Sequence, residues 1–140
     1  MADIPNNIVL VLPRVTSRLD LLRETVVDFL NKHNINEACV SRIELSIYEA
    51  VVNIIEHSSP EYNDKEIHVE CVVQDNEVLI TISHYGERFD ITKAELPDIE
   101  KHYKSGKMSG LGIYFIMTLM DRVEYSHNDM ISTLKMIKNI

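Results

Sequence analysis

The apolar residues of this sequence repeat with two different periods, and the order of these periods limits the folds open to the chain. Residues 19–30 and 43–55 carry apolar side chains at steps of three and four, and residues 110–120 form an apolar run, so we predict three helices. Five shorter segments alternate or are rich in β-branched residues and are predicted as strands: residues 7–12, 66–73, 78–83, 122–126 and 131–137. This order predicts an α+β, two-layer fold in which about three helices cover one face of a mostly antiparallel mixed sheet.

Capping residues predict where two of the helices begin. Thr16 or Ser17 precedes the first apolar stripe and can cap the first helix, because its hydroxyl oxygen can accept a hydrogen bond from a first-turn amide. The second helix is predicted to begin near Asn36, and Glu37 places a negative charge in its first turn, where the helix dipole favours it. This helix is expected to end ahead of Pro60.

The charge balance argues against nucleic acids and membrane surfaces as partners. Fourteen Lys and Arg residues against 22 Asp and Glu residues give a net charge of −8 at pH 7, which repels phosphate groups and anionic lipids. The longest apolar stretch, residues 111–120, is about half of the roughly 20 residues that a membrane-spanning helix needs. We therefore predict neither a nucleic-acid interface nor a transmembrane helix.

Length and cysteine content predict one cytoplasmic domain. A chain of 140 residues, of which 45% are apolar, can bury about two-thirds of its unfolded surface around one core. We expect a single domain over residues 1–140. With only Cys39 and Cys71, and no basic-then-apolar leader, the protein is expected to be cytoplasmic with reduced thiols. His68 and Cys71, three residues apart on a predicted strand, should face opposite sides and could not share a metal ion.

The second predicted helix carries a line of polar residues beside its apolar stripe. Glu49 and Asn53 are four residues apart, so their side chains project from one face, and His57 extends the line by another turn. An amide oxygen is a hard ligand for magnesium, and a carboxylate one turn away can orient or deprotonate a hydroxyl group. The line fits magnesium-assisted phosphate chemistry, although polar residues also occupy the solvent-exposed face of an ordinary amphipathic helix.

Two glycine-containing segments follow this helix. Gly86 leaves a predicted strand, where a glycine permits a positive φ or the close approach of a ligand, and Phe89 can cover an aromatic base or fill the core. Residues 109–112 (Ser-Gly-Leu-Gly) precede an apolar helix, and free amides at a helix N-terminus bind phosphate groups. Residues 85–109 show no periodicity, which is typical of a functional loop or lid.

Taken in order, these segments resemble the GHKL ATPase superfamily, which includes gyrase, chaperone, histidine-kinase and mismatch-repair ATPases. The motifs are Glu-Ala-x-x-Asn-x-x-x-His on a helix, Gly-x-x-Phe-Asp after a hairpin, a lid, and Ser-Gly-Leu-Gly-Ile opening a helix that continues into Leu-Met-Asp-Arg-Val-Glu. More narrowly, the chain resembles the small RsbW-like anti-sigma-factor serine kinases of bacteria. The resemblance covers nearly the whole chain and implies a histidine-kinase-like ATPase fold.

The resemblance implies a role for each motif residue. Asn53 would bind the Mg²⁺ ion that bridges the phosphates of ATP, and Glu49 would act as the general base toward a serine hydroxyl. Residues 91–109 would form the ATP lid, and residues 110–112 would cradle the triphosphate. The other residues implied to bind ATP lie in the same motifs or in the last strand, and the full set is Asn53, His57, His84, Gly86, Phe89, Asp90, Gly110, Leu111, Gly112 and Thr133.

One position departs from the family pattern. The family has Asp-x-Gly before the lid, and its aspartate accepts a hydrogen bond from the adenine amine, whereas this sequence has His84, Tyr85 and Gly86. A neutral imidazole can accept one hydrogen bond, but it has a different reach and no negative charge. Adenine recognition is therefore expected to be weaker or altered. Arg88 replaces a second glycine that the family often has.

The resemblance implies an anti-sigma factor that is also an ATP-dependent protein serine kinase. Its partners would be a sigma factor and a small anti-anti-sigma protein of the STAS type, which it would phosphorylate, and the family commonly forms homodimers. His84 keeps an alternative open. In this alternative the chain is a non-catalytic partner-switch module that retains the fold and the protein-binding surface but has lost ATP binding.

Overall fold

The computed structural model describes residues 3–93, 98, 100–101 and 111–140. The helices and strands follow the predicted order, which confirms the α+β class. They are β1 (Asn7–Leu12), α1 (Leu19–Lys32), α2 (Glu37–His57), β2 (Ile67–Gln74), β3 (Glu77–Tyr85), α3 (Gly112–Leu119), β4 (Arg122–Asn128) and β5 (Ile131–Asn139). Within the described ranges, no helix combines the length and the apolar character needed to cross a membrane.

The strands form one sheet with the spatial order β1-β2-β3-β5-β4. Each pairing between these described strands is antiparallel, so the sheet is fully antiparallel rather than mostly antiparallel and mixed. The hairpins β2–β3 and β4–β5 turn at Asp75 and Asn76 and at Asp129 and Met130, all four with positive φ angles. Two-residue turns of this kind match the right-handed twist of the flanking strands, which fixes the register of each hairpin.

The helices cover one face of the sheet and bury their apolar stripes against it. α2 packs against α1, α3 and β3. The largest fully buried side chains come from both layers: Leu22, Val26, Leu30, Ile43, Ile47, Val51, Ile67, Val69, Ile80, Ile82, Ile116 and Met136. On β2, Cys71 is buried and His68 is exposed, which confirms that these two residues face opposite sides of the sheet.

The start of α1 differs from the prediction. Thr16–Arg18 form a short 3₁₀ turn, and α1 begins at Leu19. The cap position of α1 is Arg18, which makes no side-chain capping bond, so the prediction that Thr16 or Ser17 caps this helix is wrong. The amide of Leu19 instead donates to the carbonyl of Thr16, because a 3₁₀ turn can satisfy a helix terminus without a side chain.

Much of the predicted lid, residues 91–109, lies outside the described residues. The described part includes Ile91–Lys93, a 3₁₀ turn in which Ile91 is buried in the core. Gly110 also lies outside the described residues, and α3 is described from Gly112.

Asn36 caps α2 as predicted. Its Oδ1 atom accepts hydrogen bonds from the amides of Ala38 at 2.8 Å and Cys39 at 3.4 Å. The substitution Asn36→Ala leaves both amides without this acceptor and should lower the free energy of unfolding by about 1 kcal/mol, measured by urea titration. Asn36→Asp keeps an acceptor and should match the native protein. If both variants lose the same free energy of unfolding, the capping hydrogen bond is not the cause of the loss.

Candidate functional site

A cavity of about 370 Å³ lies between the C-terminal half of α2 and the sheet. This volume is in the range of small-molecule sites. The lining residues come from α2, from the segment between α2 and β2, from the end of β3 and the turn after it, and from α3, β4 and β5. They are Ala50, Asn53, Ile54, His57, Ser58, Ser59, Tyr62, His84, Gly86, Glu87, Arg88, Phe89, Ile91, Ile116, Tyr125, Ser132 and Leu134.

The polar line of α2 reaches this cavity. Asn53 and His57 line the wall, and Glu49 lies one turn before Asn53. Glu49 is half-buried, and its pKa is raised above the ordinary value, first by burial and then by repulsion from Glu56. A carboxylate with a raised pKa is a stronger base.

Gly112, the first residue of α3, lies directly against Glu49. A Cβ atom at Gly112 would be 2.7 Å from Oε2 of Glu49, so a side chain there would displace the carboxylate. Leu111 occupies the cap position of α3, and its carbonyl accepts a hydrogen bond from the amide of Phe115 at 3.0 Å. The contact between Gly112 and Glu49 therefore brings the N-terminus of α3 to the polar line of α2.

His84 lines the cavity from the end of β3. Burial lowers its pKa to about 4, and electrostatic interactions with Arg14 and then His127 act in the same direction. The imidazole is therefore neutral at physiological pH. Its Nδ1 atom is buried without a hydrogen-bond partner among the described residues, which is uncommon for a buried polar atom.

The turn after β3 brings two of its three predicted residues to the cavity. Gly86 lines it without a positive φ, and a Cβ atom there would be 3.7 Å from Cδ2 of His84, so a side chain would occupy cavity space. Phe89 lines the cavity and is 55% exposed, so it does not fill the core. Asp90 is not among the lining residues. Its Oδ1 atom accepts hydrogen bonds from the amide of Thr92 at 2.9 Å and from its hydroxyl at 2.5 Å.

Thr133 lies on the opposite face of the sheet from the cavity. Its hydroxyl oxygen is 3.5 Å from that of Ser83. Its neighbours Ser132 and Leu134 line the cavity instead, because successive side chains of a strand point to opposite faces. Ser132 is therefore the β5 hydroxyl at this site, and the sequence analysis did not single it out.

Ser132 joins Tyr125 and His127 in a hydrogen-bonded group that we call the β4–β5 row. The Oγ atom of Ser132 lies 2.9 Å from the Tyr125 hydroxyl and 2.9 Å from Nδ1 of His127. The amide of Phe89 donates to the Tyr125 hydroxyl at 3.0 Å, which ties the turn after β3 to β4. The sequence analysis missed this row, although period-two alternation along β4 could have placed Tyr125 and His127 on one face.

Arg14 is a second residue that the sequence analysis missed. It is only 7% exposed. Its Nε atom donates to the carbonyl of Lys65 at 2.7 Å, and its Nη2 atom donates to the carbonyl of Tyr85. The Nη1 atom is buried without a hydrogen-bond partner among the described residues. Arg14 thus fastens the segment after β1 to the end of β3, beside His84.

Residues 12–138 match the family described as the histidine kinase-like ATPase domain. The chain belongs to this family. The resemblance to GHKL ATPases is thereby confirmed, and two relatives confirm the narrower resemblance to RsbW-like kinases. The serine-protein kinase RsbW of Listeria monocytogenes is 25% identical over 138 residues, covering 96% of this chain and 88% of that protein. The serine-protein kinase RsbW of Bacillus cereus is 26% identical over 127 residues, covering 88% and 79% of the two chains.

Solved structures of this histidine kinase-like fold superpose on the chain. The crystal structure of the RsbU and RsbW domains of a Mycobacterium tuberculosis protein gives a TM-score of 0.70 at 14% identity, covering 96% of this chain and 32% of that longer chain. The SiaB-SiaC complex from Pseudomonas aeruginosa gives a TM-score of 0.69 at 13% identity, covering 93% of this chain and 88% of that chain. These likenesses support the fold that the sequence predicts.

The histidine kinase-like ATPase family implies a magnesium nucleotide, and the helix side of the cavity fits one. The amide of Asn53 offers a hard oxygen ligand at the wall. The Glu49 carboxylate occupies the space beside Gly112, so the proposed base lies at the start of α3. The sheet side offers imidazole and hydroxyl groups, contributed by His84, Tyr125 and Ser132.

The buried imidazole of His84 should make the stability of the fold depend on pH. The folded chain keeps His84 neutral down to a pKa of about 4, whereas the unfolded chain takes up a proton near 6.5. Between these values only the unfolded state gains the proton, so stability should fall as the pH falls through this window. Urea titrations at several pH values should show that the free energy of unfolding falls more steeply with decreasing pH in the native protein than in His84→Asn.

His68→Asn is the matched control, because His68 is exposed on the other face of the sheet. It should keep the native pH dependence. If the free energy of unfolding depends on pH equally in His84→Asn and in the native protein, His84 is not the cause of the pH dependence.

Proposed function

We propose that this chain is an anti-sigma factor and a protein serine kinase that transfers the γ-phosphoryl group of ATP to an anti-anti-sigma partner. In this proposal, residues 1–140 form a single ATPase domain. The observation that carries it is the arrangement on α2, where Asn53 lines the cavity and Glu49, with a raised pKa, lies against Gly112 at the start of α3. A metal ligand and a base are thereby held one helical turn apart.

The residues of the chain have separate tasks in this reaction. Glu49 takes the proton of the partner's serine hydroxyl while the serine oxygen bonds to the γ-phosphorus atom. The bond between that phosphorus and the bridging oxygen of the β-phosphate breaks, and ADP leaves. The raised pKa of Glu49 lets it accept the proton more readily than an exposed carboxylate would.

Mg²⁺, when bound, offsets the negative charge of the phosphate oxygens. Asn53 would hold the ion through its amide oxygen, and His57 would bound the same wall one turn further along α2. Leu111 and Gly112 would bring the first amides of α3 to the triphosphate. Positioning and charge therefore account for most of the proposed catalysis.

The relatives support a partner protein of the proposed kind. The Listeria monocytogenes and Bacillus cereus relatives are serine-protein kinases named RsbW, and one structural neighbour forms a SiaB-SiaC complex. We propose a sigma factor and a STAS-type anti-anti-sigma protein as partners of this chain, which would act in the cytoplasm, with a homodimer as the working assembly.

The second candidate is a partner-switch module that binds proteins without using ATP. The neutral imidazole of His84, in place of the family's aspartate, is the observation that favours it. The two candidates differ in one measurable property. A kinase binds ATP–Mg²⁺ and releases ADP when the partner is added, whereas the switch module captures the partner and binds no nucleotide.

Glu49→Gln should separate chemistry from binding. The substitution removes the base and keeps the shape of the side chain, so phosphorylation of the source organism's STAS-type proteins should fall at least about a hundredfold, while ATP affinity stays within about twofold. Intact-protein mass spectrometry measures the transfer, and isothermal titration calorimetry measures the affinity.

Glu37→Gln is the control for this prediction, because Glu37 is exposed in the first turn of the same helix. It should transfer at the native rate. If Glu49→Gln transfers phosphate at the native rate, Glu49 is not the general base.

Asn53→Ala should weaken nucleotide binding only when magnesium is present. The substitution removes an amide oxygen from the cavity wall, so the affinity gained on adding Mg²⁺ should shrink by roughly tenfold, while the affinity measured in EDTA stays at the native value. An equal loss with and without Mg²⁺ would indicate a contact to the nucleotide itself rather than to the metal ion.

A further inference from the structure

The sheet side of the cavity presents proton donors to a bound molecule. His84 on β3 lies directly opposite Ser132 on β5, and Ser132 lies directly opposite His127 on β4. Tyr125 joins this line through its hydrogen bond to Ser132. Each of these four side chains has a ring N–H or hydroxyl group that can donate a hydrogen bond, and His84, Ser132 and Tyr125 line the cavity.

The three side chains of the β4–β5 row are hydrogen-bonded to one another, whereas Nδ1 of the neighbouring His84 ring has no partner among the described residues. The hydroxyl of Ser132 is engaged with both Tyr125 and His127, and the hydroxyl of Tyr125 also accepts from the amide of Phe89. The Nδ1 atom of the His84 side chain makes no hydrogen bond to a described residue, and His84 lines the cavity. A molecule in the cavity therefore meets the edge of the His84 ring as an unengaged polar group.

The charge of Arg14 favours one of the two tautomers of the neutral His84 ring. Nη1 of Arg14 and Nδ1 of His84 are both buried and without partners among the described residues, and the guanidinium charge acts on the imidazole. A guanidinium nitrogen can only donate. A proton on Nδ1 would add a second donor to this buried, positively charged surrounding, so the neutral ring keeps its lone pair on Nδ1 and its proton on Nε2.

The Nε2 atom of His84 lies at the cavity wall beside Gly86. A Cβ atom at Gly86 would be 4.0 Å from it, and both residues line the cavity. His84 therefore offers an N–H donor to the bound molecule at the position where the family pattern has an acceptor. The nearby charge of Arg14 also favours an electron-rich ligand atom there.

We propose that this cavity binds a 6-oxopurine nucleotide, with guanine or hypoxanthine as its base, in preference to ATP, because His84 donates to the carbonyl oxygen O6. Adenine has an amine at this position. The amine and the Nε2–H group of His84 are both hydrogen-bond donors, so they would not bond to each other. Tyr62, Phe89 and Tyr125 also line the cavity, and an aromatic ring can pack against either purine. This inference rests on the proposed function and changes one part of it, because the preferred phosphoryl donor would be a 6-oxopurine triphosphate rather than ATP.

Glu87 is the described carboxylate that could reverse this preference. It lines the cavity and is exposed, and its charge acts on Tyr62. If Glu87 accepted a hydrogen bond from the adenine amine, ATP would be the better ligand. The test therefore includes this residue.

The test is a calorimetric titration of the native full chain with the magnesium complexes of ATP, GTP and ITP. GTP and ITP should each bind about tenfold or more tightly than ATP, because a mismatched donor removes a hydrogen bond within the cavity. ITP lacks the 2-amino group of GTP, so a shared affinity assigns the preference to O6. His84→Asp should restore an acceptor and reverse the order in favour of ATP.

Two variants serve as controls. His68→Asp makes the same chemical change on the exposed face of the sheet and should keep the native order of affinities. Glu87→Gln should also keep it. Circular dichroism shows whether each variant is folded, and the native titration decides the proposal even if His84→Asp does not fold.

The remaining outcomes overturn the proposal in distinguishable ways. Equal or tighter binding of ATP by the native chain overturns the base preference and leaves the kinase proposal standing, and a loss of that ATP preference in Glu87→Gln identifies Glu87 as the acceptor. Tight GTP binding with weak ITP binding assigns selectivity to the 2-amino group and removes His84 from the role. Binding of none of the three nucleotides overturns the kinase proposal together with this one.

Discussion

α2 has to bury its apolar stripe against α1, α3 and the sheet, and this packing requirement positions the rest of the site. Ile47 and Val51 are each only 1% exposed. With the stripe held inside, Glu49 and Asn53 can point only toward α3 and the cavity. A rotation of the helix by one residue, about 100°, would bury this polar line in the core. The free energy that stabilises the fold therefore also orients the proposed base and metal ligand.

The parts of the fold that depend on neighbouring residues were predictable from the sequence. Helix and strand positions follow from apolar periodicity, and the polar line of α2 follows from four-residue spacing. Residues whose position depends on distant partners were not predictable. The carbonyls that hold Arg14 are 51 and 71 residues away in the chain. The resemblance implies Thr133, whereas Ser132 lines the cavity. The face of a strand residue is determined by the pairing register, and an error of one residue reverses it.

Arg14 and His84 connect the stability of the fold to the chemistry of the cavity. Arg14 joins the segment after β1 to the end of β3, so it contributes to the sheet and also surrounds His84 with positive charge. Their Nη1 and Nδ1 atoms have no hydrogen-bond partner within the described part of the chain, and a buried polar atom without a partner costs about 1–3 kcal/mol. An aspartate in place of His84 would give the guanidinium a counter-charge and would change both properties together. The base preference of the cavity is thus inseparable from the way its wall is built.

The contact between Gly112 and Glu49 also limits how sequences of this type can diverge. A Cβ atom at Gly112 would be 2.7 Å from the Glu49 carboxylate, so a larger residue at 112 requires a shorter one at 49. If Glu49 is the base of the proposed kinase, a lineage without phosphoryl transfer can shorten this side chain first and then gain a side chain at position 112, so regaining the carboxylate takes two changes. A side chain at position 112 in a related sequence would therefore indicate that the proposed base has been lost.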